Sequence, residues 1–494
     1  MRHGPIQKHL LWMSLFLFAC GGSDEGGGPT ELAQVPRGRT VIIGDSPIPD
    51  YASLNMYMPG FDYLSNIFIY EPLYFYNAFT ETDNITPWLA TGHEYNDDFT
   101  EVTIHLREGV EWTDGVPYTA NDIVFTIDML KAHVPELNFS VDMEMWVEEA
   151  LALDDLTVKI TLTKPNPRFI FTYFTYNFGN GVPVVPKHIW ESQDPTTFTN
   201  VNWEKGWPVG TGPYKLMITS EQQRIWDRTD HWWAAKTGFR EMPKVERIIY
   251  VPGVEANWIQ GFLNNDLDVC MAPLPSSTKT ILDNNPNVST WSGRESPYGY
   301  LDYWPISMGF NCLEPPFDDP DIRWAINYAL NRQQIIDIGW QGSGDFTLLP
   351  FPDYPPLRHF TSQLDDLLEK YPVGKHDPAK TAEIMTGKGY VREDGYWSLN
   401  GEVFKLVLDI GPLFQDIIPV IIQQLRRAGF DATYRMTADN YTRMTQGTAK
   451  AYLWGNGGSV RDPFFTLRLY TSQYIKPTGE HAEHFWRWGN AGDA

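Results

Sequence analysis

The chain has 494 residues, of which 42% are hydrophobic and 20% are charged, a composition typical of a globular protein with two or three domains. It carries 62 acidic and 38 basic residues, which gives a formal net charge of −24 at pH 7. This charge disfavours nucleic acids and anionic lipid surfaces as partners, because no basic stripe is present to displace their counterions.

An export signal is predicted at the N-terminus. The apolar run from Leu10 to Ala19 follows basic residues and is shorter than the roughly 20 residues that cross a bilayer. It ends in Leu17-Phe18-Ala19-Cys20, which resembles the lipobox of bacterial lipoproteins, where the cysteine thiol receives a diacylglyceryl group. Residues 1–20 are therefore expected to be either a lipoprotein signal with Cys20 lipidated or an ordinary signal peptide with an incidental cysteine. A flexible glycine-rich spacer is expected over residues 21–35.

Two segments in the first third of the chain alternate apolar and polar side chains, as half-buried strands do: residues 102–107 and 156–163. Between them, Thr119-Ala120-Asn121-Asp122 has the pattern of a capping box and predicts the start of a helix. Asp319-Pro320 and Asp377-Pro378 each combine an N-cap aspartate with a proline in the first helical turn. They predict two further helices.

Residues 403–435 predict a strand, a helix and a second strand. Apolar side chains alternate from Phe404 to Ile410, the helical pattern runs from Ile417 to Ala428, and Gly429 ends it. This order is typical of an α/β unit. No internal repeat is found in the sequence.

No motif indicates catalysis, a cofactor or a metal. The glycine cluster at residues 209–213 lacks the third glycine of a nucleotide-binding loop, and His481 and His484 have no third ligand nearby. Paired carboxylates for glycoside hydrolysis stay open, because 62 acidic residues always offer candidates. Cys270 and Cys312 are compatible with a disulfide in an oxidising compartment and equally with two buried thiols.

Aromatic residues are abundant, with 19 Trp, 25 Tyr and 27 Phe. Most are expected in hydrophobic cores, where their large surfaces are buried. The surplus of Trp and Tyr also indicates a cleft that stacks on the flat faces of a ligand.

A long signature in the chain points to a known family. Residues 102–123 (VTIHLREGVEWTDGVPYTANDI), preceded by Pro87-Trp88-Leu89-Ala90, closely resemble the signature of extracellular solute-binding proteins, family 5. The resemblance continues through residues 185–189, 208–214 and 315–329, Trp454-Gly455 and Asp462-Pro463. It covers essentially the whole chain after the spacer. The family comprises receptors of ABC importers for dipeptides, oligopeptides, nickel and some oligosaccharides.

The resemblance implies an α/β protein with the two-lobed periplasmic-binding-protein fold of type II, whose lobes close by a hinge around the ligand. It implies lobe I over residues 36–60 and 200–275, an extra subdomain over 61–199, and lobe II over 276–494. In relatives the chain continues through further helices beyond the segment that resembles residues 485–494. On this resemblance the sequence is expected to be incomplete at its C-terminus, in both lobes.

The resemblance also implies ligand contacts. Trp454, Gly455 and Asn456 match the family's ligand-binding motif, and Tyr57 lies in the first segment expected to connect the lobes. In peptide-binding relatives an aspartate after this tryptophan pairs with the α-ammonium of the peptide, but the two positions that correspond by counting, Gly457 and Ser459, are not acidic. An asparagine beside abundant aromatic residues suits sugars, whereas the family most often binds peptides. Both ligand classes stay open.

The expected function is therefore that of a monomeric extracytoplasmic binding protein, held at the membrane by its lipid, which needs no cofactor. It would deliver a peptide or oligosaccharide to the permease and ATPase subunits of an ABC importer without catalysis. The alternative is a surface-tethered glycoside hydrolase, or a carbohydrate-binding protein not coupled to transport. The hydrolase predicts turnover that depends on two carboxylates about 5 to 10 Å apart.

Overall fold

The structure is a computed structural model that describes residues 32–45, 52–58, 67–176, 181–270, 273–299, 302–455, 458–471 and 475–482. The predicted signal peptide with Cys20, most of the spacer, and Asn456 lie outside these ranges. Within them, no helix combines the length and apolar character that a membrane span requires.

Strands in the described ranges are, in chain order, β1 (Thr40–Asp45), β2 (Tyr74–Tyr76), β3 (Ile85–Pro87), β4 (Ala90–Tyr95), β5 (Glu101–Leu106), β6 (Val147–Asp154), β7 (Thr157–Leu162), β8 (Thr175–Tyr176), β9 (Tyr214–Thr219), β10 (Arg224–Arg228), β11 (Arg247–Pro252), β12 (Val269–Cys270), β13 (Ile306–Phe310), β14 (Val391–Glu393), β15 (Tyr396–Leu399), β16 (Glu402–Val403), β17 (Lys405–Ile410), β18 (Asp431–Met436) and β19 (Ala451–Gly455).

The α-helices in the same ranges are α1 (Ala120–Ala132), α2 (Ser140–Trp146), α3 (Phe169–Tyr173), α4 (Lys187–Trp190), α5 (Trp233–Lys236), α6 (Glu255–Asn264), α7 (Pro275–Asn284), α8 (Pro320–Ala329), α9 (Arg332–Gln334), α10 (Pro355–Thr361), α11 (Asp365–Lys370), α12 (Pro378–Gly387), α13 (Ile418–Arg427), α14 (Asn440–Thr445) and α15 (Phe464–Leu467).

A five-stranded mixed sheet has the order β12-β1-β11-β10-β9. Strand β1 lies parallel to β11 and β12, whereas β10 runs antiparallel to both of its neighbours. Its central strands bury large side chains, including Ile248 and the fully buried Trp226. Because consecutive residues of a strand point to opposite faces, this sheet can bury apolar side chains on both sides.

A second sheet has the order β4-β5-β7-β6 and is antiparallel throughout. Its strands β5 and β7 confirm the two strands predicted from alternation, and their buried residues alternate with more exposed ones. The predicted helix start is also confirmed, because Thr119 caps α1 and the Asp122 carboxylate accepts the Thr119 backbone N–H at 2.8 Å. The same carboxylate accepts the Lys187 N–H at 2.9 Å, so it fixes α4 against the start of α1.

Three indole groups meet at one buried carboxylate. Glu71 accepts hydrogen bonds from the Nε1–H groups of Trp233, Trp88 and Trp232 at 2.7, 2.9 and 3.2 Å. Burial raises the pKa of Glu71 to about 7, although these indole donors act in the opposite direction. Part of the tryptophan surplus is therefore structural, since each of these rings needs an acceptor for its N–H.

A third large sheet has the order β13-β19-β17-β18. Strand β17 is parallel to β18 and β19, and α13 connects β17 to β18, which confirms the predicted strand–helix–strand unit. The two predicted aspartate caps are also confirmed, because Asp319 accepts the Asp321 N–H at 2.9 Å and Asp377 accepts the Lys380 N–H at 3.1 Å. These caps begin α8 and α12, which pack beside each other.

The two largest hydrophobic cores of the described residues are separate from each other. One extends continuously from Leu54 to Tyr250, and the other from Phe310 to Leu453. We call β1–β12 with α1–α7 the first body, and β13–β19 with α8–α15 the second body. Cys270 ends β12 in the first body and Cys312 follows β13 in the second, and no disulfide joins them.

The Glu71 site predicts a pH-dependent stability. Because its pKa is raised on folding, Glu71 stabilises the folded chain below about pH 4.5, and this contribution is lost as the pH rises through about 7. Relative to Glu71→Gln, the free energy of unfolding of the wild type should fall by about 1 to 3 kcal/mol between pH 4.5 and 8 in urea denaturation. The exposed Glu94→Gln is the matched control. A wild type and Glu71→Gln variant with parallel pH profiles would contradict the prediction.

Candidate ligand-binding site between the two bodies

The parallel strands of the second body place two loops at the same edge of the sheet. Strands β17 and β19 pair through Leu408 with Ala451, so their carboxyl ends, at Ile410 and Gly455, lie on one side. Ligands of open α/β sheets bind in crevices outside the carboxyl ends of the strands. This edge is the candidate ligand-binding edge of the second body.

Three aromatic side chains gather around Trp454 at this edge. The ring centroids of Trp304, Tyr441 and Phe414 lie 5.2, 5.4 and 6.1 Å from that of Trp454. Trp304 and Trp454 are partly buried, and Tyr441 is 49% exposed. We call these four residues the Trp454 cluster. It keeps ring surface accessible at the edge, as a stacking site requires.

Gly455 has a packing role in the cluster. It is buried, and a Cβ atom at this position would lie 1.9 Å from the Trp304 ring. Only glycine permits the ring to lie against the backbone here. The motif residue predicted as a ligand contact thus supports Trp304 directly.

Strand pairing explains why Trp304 was not found from the sequence. Gly455 pairs with Ile306 in the antiparallel β13–β19 ladder, so the residues just before β13 lie beside the end of β19. Tyr441 and Phe414 likewise come from α14 and from the loop after β17. None of the three is near Trp454 in sequence. Their only sequence signal is aromatic character beside a strand or helix end.

A polar donor borders the aromatic cluster. Asn440 is 8% exposed, and its side-chain nitrogen has no hydrogen-bond partner among the described residues. It lies near Gly411, where an added Cβ atom would be 3.4 Å from the Asn440 side-chain nitrogen and 3.6 Å from the Trp454 ring. Buried amide groups are normally hydrogen-bonded, so Asn440 offers an uncommitted group at this edge.

The loop after β19 touches the first body. A small apolar cluster joins Ala78 and Phe171 of the first body to second-body residues, which are Phe351, Tyr354, Leu357 and Val460. The Tyr76 hydroxyl donates to the Val460 carbonyl oxygen at 3.2 Å, and Arg168 forms an ion pair with Asp462. We call these contacts the inter-body contact. They place the loop that follows Trp454 between the two bodies.

The remaining predicted site residues are placed as follows. Tyr57 is fully buried in the first core, where its hydroxyl donates to the Pro183 carbonyl oxygen and its ring lies 5.9 Å from that of Trp190. Asn456 lies outside the described residues. Ser459 is buried, and its Oγ accepts the Thr466 N–H at 2.9 Å. Of the predicted contacts, Trp454 and Gly455 are therefore the ones that the structure brings to the edge.

No metal site is evident in the part of the chain that the structure describes. Within those ranges no group of three or more His, Cys, Asp or Glu side chains is arranged to hold an ion. The most deeply buried acid near the edge, Asp409, is instead bound by Arg435 at 2.7 Å and Arg443 at 3.1 Å. The geometry is that of a stacking and hydrogen-bonding site.

Comparison with known proteins identifies relatives of the whole chain rather than of this edge alone. Residues 84–477 match the family described as bacterial extracellular solute-binding proteins, family 5 middle. The glutathione-binding protein GsiB of Pectobacterium atrosepticum is 27% identical over 401 residues, which cover 79% of this chain and 66% of that protein. The chain thus spans just under two thirds of the length of this curated relative. Because such relatives are named as binding proteins and not as enzymes, the glycoside-hydrolase alternative is not retained.

Solved structures share the fold. The periplasmic oligopeptide-binding protein of Thermotoga maritima superposes with a TM-score of 0.74 at 22% identity, over 92% of this chain and 84% of that chain. The same Thermotoga protein with bound mannohexaose gives a TM-score of 0.69 at 22% identity, over 93% and 84%. The chain therefore has the two-lobed α/β fold of periplasmic binding proteins.

The close contact at Gly455 predicts a specific packing defect. Gly455→Ala should displace Trp304 and lower the free energy of unfolding by about 1 to 3 kcal/mol, as overpacking does. Gly92→Ala is the control, since a Cβ there meets no atom within 4 Å. In urea denaturation, the Gly455→Ala/Trp304→Ala double variant should be no less stable than Trp304→Ala. Equal stability of Gly455→Ala and the wild type would show that the ring does not lie there.

Proposed function

Since the chain belongs to the bacterial extracellular solute-binding proteins of family 5, we propose that it captures short peptides outside the cytoplasm and delivers them to the permease of an ABC importer. The observation that carries the proposal is the Trp454 cluster at the carboxyl edge of the second body, adjoining the inter-body contact. A ligand stacked there touches one body directly and lies beside the other. From this position, binding of the ligand can be coupled to closure of the two bodies.

Closure of the two bodies requires that the ligand bind the closed state more tightly than the open state. A ligand shifts an open–closed equilibrium only by the difference between its affinities for the two states. Contacts such as Arg168–Asp462 and Tyr76–Val460 are small and partly polar, so they can form and break as the bodies move. We propose that the ligand stabilises the state in which they are formed, and that the permease recognises this state.

Peptides are the favoured ligand class. The curated relative is named as glutathione-binding, and glutathione is a tripeptide. The side-chain nitrogen of Asn440, which has no hydrogen-bond partner among the described residues, can donate to a peptide carbonyl or carboxylate group. A peptide also offers side chains to the aromatic surfaces of Trp454 and Tyr441.

Oligosaccharides are the second candidate. The Trp454 cluster presents ring faces of the kind that stack on sugars, and a Thermotoga protein of the same fold is known with mannohexaose bound. A sugar would need mainly hydroxyl partners at the edge. The two classes therefore differ in whether the bound molecule must carry charge.

Ligand titration tests the proposed function. Tryptophan emission should change saturably and with 1:1 stoichiometry on adding tri- to pentapeptides, and chromatography should return each peptide unaltered. Trp454→Ala should weaken binding by at least about tenfold, because central aromatic anchors dominate binding energy. Trp291→Ala, which removes a ring that is 85% exposed, is the control. Saturation by manno-, cello- or xylo-oligosaccharides alone would favour the second candidate, and altered products would exclude a pure binding protein.

Membrane attachment is proposed to depend on Cys20. The lipid would hold the protein at the outer face of the cytoplasmic membrane, while the glycine-rich spacer lets the folded part move above it. Cys20→Ala should therefore transfer the protein from the membrane fraction to the soluble extracytoplasmic fraction, as followed by immunoblotting. Cys270→Ala is the control and should remain at the membrane. Retention of Cys20→Ala at the membrane would contradict lipidation at this residue.

A further inference from the structure

A cavity lies between helices of the second body. Its volume is about 660 Å³, which is within the range of small-molecule pockets. It is bordered by α8, α12 and the end of α11, where Tyr371 follows that helix. None of its lining residues belongs to the Trp454 cluster or to the inter-body contact. The cavity is therefore separate from the candidate site between the two bodies.

Three aromatic rings line this cavity. Trp324 and Tyr328 are one helical turn apart on α8, so they lie on the same side of that helix. The ring planes of Trp324 and Tyr371 are 17° from parallel, with centroids 6.4 Å apart, and those of Trp324 and Tyr328 are 33° from parallel, with centroids 5.6 Å apart. Rings that share an orientation so closely offer flat apolar surface to a ligand. We call the cavity with these three rings the Trp324 pocket.

The rings of the Trp324 pocket lie outside the second hydrophobic core. The residues that α8 contributes to that core are instead Ile322, Ala325, Ile326 and Ala329. Trp324 and Tyr328 are half-buried, and Tyr371 is 43% exposed. Their ring surface is therefore available to a ligand rather than used in core packing.

Contacts at both ends hold α8 and α12 in place around the pocket. At one end the Asp377 N–H donates to the Tyr328 carbonyl oxygen at 2.8 Å. At the other end the Lys388 ammonium group forms ion pairs with Asp319 and Asp321, each at 2.7 Å. The walls of the pocket are thus fixed by the fold itself, and a ligand does not have to order them on binding.

Charged groups of both signs border the rings. Lys388 pairs with Asp321, and both side chains line the pocket. Lys380 and Glu383 line it as well and pair with each other at 2.6 Å. The ammonium group of Lys370 lies 5.0 Å from the ring centroid of the residue that follows it. Ammonium groups donate hydrogen bonds and carboxylates accept them, so a ligand with hydroxyl groups can use both, whereas a charged ligand meets groups of its own sign.

We propose that the Trp324 pocket binds a neutral oligosaccharide, independently of the ligand held between the two bodies. This inference goes beyond the proposed function. The apolar C–H face of a pyranose ring lies on the aromatic rings, and its hydroxyl groups hydrogen-bond the lysine and carboxylate groups around them. The sugar comes either from solution or from the glycan strands of a cell wall, and both sources share this chemistry.

Oligosaccharide titration tests the pocket. Isothermal titration calorimetry of the purified full chain would use cellotriose, maltotriose and chitotriose, in a Trp454→Ala background that removes the central ring of the other site. Binding should persist in this background, and adding Trp324→Ala should weaken it at least about tenfold, because aromatic anchors dominate binding energy. Tyr371→Ala, which removes a 43% exposed ring, is the second test variant and should act in the same direction. Trp291→Ala is the matched control, since it removes an exposed ring that does not line the pocket.

The two sources of the sugar are distinguished by purified peptidoglycan. Retention of the protein on peptidoglycan, lost in Trp324→Ala, would support the pocket and assign it to cell-wall glycan. Binding of the soluble sugars without such retention would support it and assign a sugar from solution.

Two results would overturn the inference. One is sugar binding that is unchanged in both Trp324→Ala and Tyr371→Ala, or absent at millimolar sugar. The other is sugar binding that is lost in Trp454→Ala alone, which would place the sugar between the two bodies. Peptide titration keeps the two proposals apart, because Trp324→Ala should bind peptides as the wild type does. If the wild type bound no peptide and Trp324→Ala still abolished sugar binding, the proposed function would fail and this inference would stand.

Discussion

The arrangement of the molecule depends on the contact between its two bodies. Each body has its own hydrophobic core, so each can be stable without the other. Among the described residues, the contacts between them include the apolar cluster around Val460, the Phe79–Tyr354 ring contact, the Tyr76–Val460 hydrogen bond, the Arg168–Asp462 ion pair, and a 2.7 Å hydrogen bond from Ser276 to Asp416. Contacts between domains of one chain that mix polar and apolar groups in this way are suited to reversible movement.

One chain segment connects the candidate binding edge to the contact between the two bodies. Trp454 lies in β19, Gly455 ends that strand and lets the Trp304 ring lie against the backbone, and the loop that follows reaches Val460 and Asp462, which touch the first body. A ligand that presses on the Trp454 ring therefore acts on the same segment that joins the bodies.

Much of the local fold could be predicted from the sequence, because it depends on neighbouring residues. The alternation in β5 and β7, the capping box of α1 and the aspartate caps of α8 and α12 are properties of short segments, and the structure confirms them. The site was accessible only through the family motif at Trp454 and Gly455. Trp304 reaches that motif through the β13–β19 ladder, and such long-range pairing leaves no pattern in a single sequence. Tyr57 shows the same limit, since its complete burial depends on Trp190 and Pro183, which are distant in the chain.

We propose that a small ligand is held between the two bodies and draws them together. Small-angle X-ray scattering of the purified chain, with and without a saturating tripeptide, tests it most directly. We expect a smaller radius of gyration in the bound sample, and loss of this difference when Trp454→Ala abolishes saturation. An unchanged radius of gyration at full occupancy, established in the same sample by calorimetry, would contradict it.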